Sequence, residues 1–134
     1  MSTTQNRLNP GVPFSEFSNP KAELITENAL NALDIYCPQP LCQSFILRQN
    51  LGSWVEKPKG KHEELQPYWR LTEMMDFENI GFLKTVELTG IKYLICADCD
   101  FGPLGYHETN APENEYFIAA DFVRYKKKND NSSD

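Results

Sequence analysis

The 134 residues carry 13 basic and 19 acidic side chains, a net charge of −6, and 40% of the chain is apolar, which suits one domain with a thin core. The charge is uneven: between Glu63 and Asp121 stand twelve acids and three bases (Arg70, Lys84 and Lys92), a net of −9. That sign excludes a nucleic-acid surface or a phosphate pocket. No Gly-rich phosphate loop, secretory signal or long apolar run is visible, so the expectation is a monomeric cytoplasmic domain without direct membrane insertion.

Residues 1–28 read as a flexible extension, because the first twenty hold three prolines and few apolar side chains. Within it, Asn19-Pro20 followed by Ala22, Leu24, Ile25 and Leu30 could open a short helix, with proline at its first position. The packed domain is placed at 29–125 and a polar tail at 126–134. Leu33 to Tyr36 and Ser44 to Leu47 read as strands on either side of a first cysteine pair. The charged, proline-bearing stretch 56–67 reads as a loop. Trp69, Leu71, Met75 and Phe77 alternate with polar neighbours, as half-buried strands do. Ile91 to Ile95 is a β-branched and aromatic run ending at a cysteine, and Tyr116 to Val123 reads as one long strand or two with a bulge. The fold class expected is mainly β, antiparallel, with little helix.

The four cysteines, Cys37, Cys42, Cys96 and Cys99, form C-x4-C and C-x2-C pairs 53 residues apart. Zinc favours tetrahedral thiolate sulfur, and two short pairs supply four ligands from two turns. The second pair follows a strand and precedes Gly102, as a metal knuckle would, with the glycine relieving a tight turn. Four protein ligands leave no open position, so one structural Zn²⁺ is expected rather than a catalytic one. Neither His62 nor His107 has a spaced partner suggesting a triad, and Glu73, Asp76 and Glu78 read as a solvated face; no catalytic constellation emerges. The acidic region fits either a solvated face or a surface for a basic partner. Met74 to Phe82 mixes large apolar residues, acids and a glycine, which fits either a core strand with a turn or an adaptable contact surface.

From Tyr68 to Val123 the chain resembles the zinc-binding Rab-interacting factors of the Mss-four/Dss-four type. The resemblance is carried by Trp69, by Phe77-Glu78-Asn79-Ile80-Gly81-Phe82, by Ile91 to Cys99, and by Gly102-Pro103-Leu104-Gly105-Tyr106-His107. The first cysteine pair departs from it, with C-x4-C where C-x2-C is usual. The resemblance implies two twisted antiparallel sheets folded over each other (a β-tent), stapled by the four-cysteine zinc site. It implies a guanine-nucleotide-release factor and chaperone, acting by binding rather than as an enzyme. Its partner would be a nucleotide-free Rab GTPase of the exocytic route, in vesicle transport to the plasma membrane. Met75 and a mobile loop, Asp76 to Phe82, would order on the Rab, and Asp98, between the knuckle cysteines, would contact its switch region. A zinc-stapled module for another partner is the alternative. A methionine-sulfoxide-reductase-like enzyme would need a further cysteine, and none follows Cys99.

Overall fold

The structure, a computed structural model, describes residues 11–58, 64–83 and 90–127. Its strands in chain order are β1 (Val12–Pro13), β2 (Asp34–Tyr36), β3 (Phe45–Leu47), β4 (Ser53–Pro58), β5 (Leu65–Leu71), β6 (Gly81–Phe82), β7 (Ile91–Ile95), β8 (Gly105–Glu108), β9 (Tyr116–Ala119) and β10 (Arg124–Lys126). They form two antiparallel sheets, ordered β1-β10-β2-β3 and β4-β5-β9-β8-β7-β6. Among the described residues helix amounts to one α turn, α1 (Pro20–Glu23), and two 3-10 turns, Phe14–Glu16 and Met74–Asp76. The expected class, mainly β in two antiparallel sheets, is the one observed.

The core lies between the sheets. Ile35, Ile46, Leu47, Val123 and Tyr125 come from the smaller one or its approaches, and Trp69, Leu71, Leu94, Leu104, Tyr116 and Ile118 from the larger. One polar chain crosses this layer: Trp69 Nε1–H donates to Tyr125 Oη at 2.9 Å, and Tyr125 in turn donates to the Ala120 carbonyl. Asn31, fully buried, ties the chain before β2 to the β3–β4 connection. Its Nδ2 donates to the carbonyls of Leu33 (2.9 Å) and Arg48 (3.1 Å), and its Oδ1 accepts from the N–H of Leu51 (3.0 Å) and Gly52 (2.8 Å). A buried amide satisfied this completely stabilises one loop path over its alternatives.

Several local expectations are corrected. Residues 11–28 are packed onto the domain rather than set apart from it. Val12 and Pro13 pair with Tyr125 and Arg124, Phe14 and Phe17 pack on the core, and Leu24 is fully buried. Truncating such a leucine costs about 2–5 kcal/mol. The short helix expected after Asn19 is present, one turn long with Pro20 at its first position. Thr26 Oγ1 accepts from the N–H of Asn28 (3.2 Å) and Leu30 (3.1 Å), offering the backbone a turn instead of a helix.

The ends of the stretch 56–67 are strand: Glu56, Lys57 and Pro58 pair with Pro67, Gln66 and Leu65. β4 lies at the sheet edge, where charge and proline are tolerated. Residues 59–63, His62 included, lie outside the described residues. Strand β5 ends at Leu71, and Met75 belongs to a 3-10 turn rather than to continued alternation. Tyr116 to Val123 is neither one strand nor a bulged pair. β9 ends at Ala119, the chain turns with Phe122 N–H on the Ala119 carbonyl (3.1 Å), and β10 joins the other sheet. Lys126, assigned to the tail, is in β10 opposite Asp34, and residues 128–134 lie outside the described ones.

Candidate metal centre and the loop beside it

Four sulfurs converge where one connection from each sheet meets. Cys37 and Cys42 lie between β2 and β3 of the smaller sheet, Cys96 and Cys99 between β7 and β8 of the larger. All four Sγ atoms lie within 4.8 Å of one another, with Cys37–Cys99 and Cys42–Cys96 at 3.6 Å. Thiolates bonded at ~2.3 Å to a tetrahedral ion sit ~3.8 Å apart, whereas a disulfide would draw two sulfurs to ~2.0 Å. The donor set therefore fits a metal ion held by all four cysteines.

Each connection is shaped locally. The N–H groups of Cys42 and Gln43 both donate to the Gln39 carbonyl at 3.0 Å, Cys37 N–H donates to Ser44 O at 2.9 Å, and Gln43 takes a φ of +55°. Two prolines thus produce a wider turn that still returns Cys42 to the cluster. In the second connection Asp100 N–H donates to Cys96 O (2.7 Å), Cys96 N–H to Phe101 O (3.0 Å), and Asp100 takes φ +62°. The tight turn was assigned to Gly102, and the structure corrects this. Asp100 carries the positive φ, while Gly102 is needed for closeness, since a Cβ there would lie 2.7 Å from Ile95 Cγ2. Burial pushes the Cys37 and Cys99 thiols up. Burial also works upward on Cys42, but hydrogen bonds with the Ser44 hydroxyl and backbone outweigh it and leave this thiol below its ordinary value. Binding a metal therefore displaces protons from this cluster.

Around the sulfurs runs a second set of hydrogen bonds that sequence reasoning missed. Cys42 Sγ donates to Ser44 Oγ at 3.2 Å, and Ser44 donates to Asp98 Oδ2. Asn79 Nδ2 donates to Cys96 Sγ and to Asp98 Oδ2, both at 3.4 Å, and Asn79 Oδ1 accepts from Ala97 N–H at 3.0 Å. Asp98 is exposed, but its carboxylate is held by Ser44 of the first connection and by Asn79.

The segment Met74 to Phe82 divides into anchors and an exposed pair, Met74 and Met75. Phe77 bridges to Leu47 and stands edge-on to Tyr116 at 6.0 Å, Glu78 N–H donates to Ile46 O at 2.8 Å, and Glu78 pairs with Arg48 Nη2 at 2.6 Å. Gly81 and Phe82 pair with Ile95 and Leu94, and Ile80 packs on the core. Asp76 is half-buried, while Met75 is 83% exposed. Leu41, inside the C-x4-C turn, is equally exposed at 83% and was also missed. His107 stacks on Tyr116 at 4.3 Å, with Nδ1 2.8 Å from Glu115 O, as part of the packing.

The sequence model of the Mss4 protein family matches residues 30–125. The chain belongs to the Mss4 family. Two relatives are each named guanine nucleotide exchange factor MSS4 homolog. One, from Drosophila melanogaster, is 54% identical over 46 residues, 34% of this chain and 36% of that protein. The other, from Schizosaccharomyces pombe, is 27% identical over 73 residues, 54% of this chain and 70% of that protein. The stretch shared with the fly protein thus spans about a third of its length. In this Mss4-family chain the packed unit extends beyond the matched range, since β1 and Leu24 precede residue 30 yet complete the smaller sheet and the core. No helix among the described residues is long and apolar enough to cross a membrane.

Proposed function

We propose that this chain binds a nucleotide-free Rab GTPase of the exocytic route in the cytoplasm, speeds release of its nucleotide, and holds the empty GTPase during vesicle transport. One structural zinc ion would staple the binding face. Membership of the Mss4 family and the relatives' exchange-factor names support this. The observation that carries it is the coupling of the Met74–Phe82 segment to the metal knuckle through Asn79, with Met75 left outward on the anchored turn.

A GTPase releases nucleotide slowly because many phosphate and Mg²⁺ contacts must break together. A partner that binds the empty form more tightly lowers nucleotide affinity by the same factor, through linkage. Met75 sits on a turn anchored at Phe77 and Glu78, so little entropy is lost when it is buried by a partner. Asp76 and Asp98 bring carboxylates that repel phosphate and attract the cations that hold it.

The test is release of a fluorescent GDP analogue from a panel of exocytic Rabs, with capture of the same Rabs stripped by EDTA. Met75→Ala should keep metal content and melting temperature, yet weaken capture by about 1–2 kcal/mol, since exposed anchors carry binding rather than folding. Asp98→Ala should weaken it more, by about 2–5 kcal/mol if the charge is paired in the complex. A wild-type chain that neither captures empty Rab nor speeds release, or a Met75→Ala chain indistinguishable from it, would sink the proposal.

A further inference from the structure

The outer face of the larger sheet carries an aromatic row that the metal centre does not use. Tyr93 of β7 lies opposite Tyr106 of β8, which lies opposite Phe117 of β9. Tyr106 stacks on Phe117 with centroids 5.2 Å apart, and Tyr68 of β5 stands edge-on to Tyr106 at 5.6 Å and 87°. A depression of about 430 Å³ opens there, with Tyr68, Tyr93, Tyr106, Phe122, Pro103 and Asp121 on its walls. No residue of the Met74–Phe82 segment and none of the four cysteines lines it.

Three features define what would fit. The rings of Tyr68 and Tyr106 meet at nearly a right angle, so they form slots for flat or puckered apolar groups rather than a smooth face. The hydroxyls of Tyr68, Tyr93 and Tyr106 have no protein partner among the described residues, so the walls offer donors and call for a ligand rich in acceptors. Asp121, held by Gln66 Nε2 at 2.6 Å, places one carboxylate at the rim. Proline-rich peptide has this complement: ring edges for aromatic slots, carbonyls that lack competing N–H groups, and an extended backbone already ordered before binding. The carboxylate adds a place for a flanking basic side chain. A bare cation fits less well, because Lys57 already lies 3.8 Å from the Phe117 centroid and 5.1 Å from that of Tyr106, adding positive charge beside the same rings.

We infer that this groove binds a proline-rich segment of a partner protein, with an arginine or lysine beside the prolines paired to Asp121. This is independent of the GTPase reading, and the two can fail separately.

The experiment titrates the metal-loaded full chain with a labelled peptide of one arginine followed by seven prolines, read by anisotropy and by amide chemical shifts. The dissociation constant expected is on the order of 10–500 μM. Shifts should cluster on β7, β8 and Asp121. Tyr93→Ala, at a position 38% exposed, should weaken binding about 10-fold without lowering the melting temperature. Asp121→Asn should weaken it about 3-fold, and only for the peptide that carries arginine. An alanine-for-proline peptide that binds equally well, a Tyr93→Ala chain that binds as wild type, shifts confined to the Met74–Phe82 segment, or displacement of the peptide by tetramethylammonium would each overturn the assignment. The last would mark a cation cage instead.

Discussion

Asn79, on the Met74–Phe82 segment, bonds both the knuckle backbone and a metal-site sulfur, so its replacement tests whether the three act as a unit. Asn79→Ala removes the bond from Ala97 N–H at 3.0 Å and two donated bonds at 3.4 Å, to Cys96 Sγ and Asp98 Oδ2. A neutral hydrogen bond contributes about 0.5–1.5 kcal/mol and one to a charged group about 1.5–3. The two contacts at 3.4 Å are long and Asp98 is exposed, so each is counted at only about 0.5–0.75 kcal/mol, inside the neutral range. The total comes to about 1.5–3 kcal/mol, roughly 10–150-fold in metal affinity, in line with the effect of outer-shell partners at other metal sites. Zinc affinity is measured by competition with a chromophoric chelator. Hydrogen exchange at Glu78, whose N–H is bonded to Ile46 O, reports the segment itself. Asn79→Asp keeps an acceptor for Ala97 but loses both donors and sets a negative charge against Asp98 and the sulfur, so it should bind metal more weakly than Asn79→Ala. If Asn79→Ala binds zinc as wild type does and Glu78 still exchanges slowly, the segment and the metal site are not coupled and the reasoning fails.

Three further outcomes are expected. Cys37→Ser, or treatment with a strong chelator, should unfold the domain or lower its melting temperature steeply, because bound metal contributes directly to folding; a folded, metal-free chain with unchanged melting would contradict this. Asn31→Ala should cost about 2–4 kcal/mol in urea unfolding, since it removes the partner of two part-buried carbonyls and two backbone N–H groups, and a loss under about 1 kcal/mol would show that water replaces the amide. Burial holds the Tyr125 hydroxyl far above its ordinary range, so the neutral phenol is favoured only in the folded state. That contribution is complete below about pH 10, where unfolded tyrosine ionises, and is lost above it at about 1.4 kcal/mol per pH unit. Tyr125→Phe should flatten this alkaline slope, while costing about 1–3 kcal/mol at neutral pH for the stranded Trp69 N–H, as urea titrations at pH 8–11 would record.

What could be read from the sequence was what is encoded within a few residues. The cysteine pairs announce a metal site because ligand spacing is local, and Ile91 to Ile95 announces a strand because five consecutive residues favour the pleat. The N-terminal packing was hidden because Phe14, Phe17 and Leu24 are isolated apolar residues in a polar, proline-bearing stretch, each filling a gap that only the assembled sheets create. The sheet switch after Ala119 was hidden because side-chain alternation runs on through the turn that Phe122 N–H closes on the Ala119 carbonyl. The ties on the Asp98 carboxylate were hidden because its partners, Ser44 and Asn79, stand 54 and 19 residues away. Ser44 two positions after Cys42 was the visible clue, a hydroxyl beside a metal ligand.

The four cysteines differ in how deeply they sit: Cys37 and Cys96 are buried, Cys42 is half-buried and Cys99 is exposed. An ion held by this set has a closed inner side and one open flank, so its exchange has a direction. An incoming thiol or chelator can replace Cys99 first, while three ligands and the clasped sheets still hold the ion. Metal should therefore leave by a stepwise handover whose rate rises with chelator concentration, rather than by rare opening of the sheets at a rate no chelator can change. A protein built this way can be thermodynamically dependent on its metal and still give it up quickly to a competitor that reaches that flank.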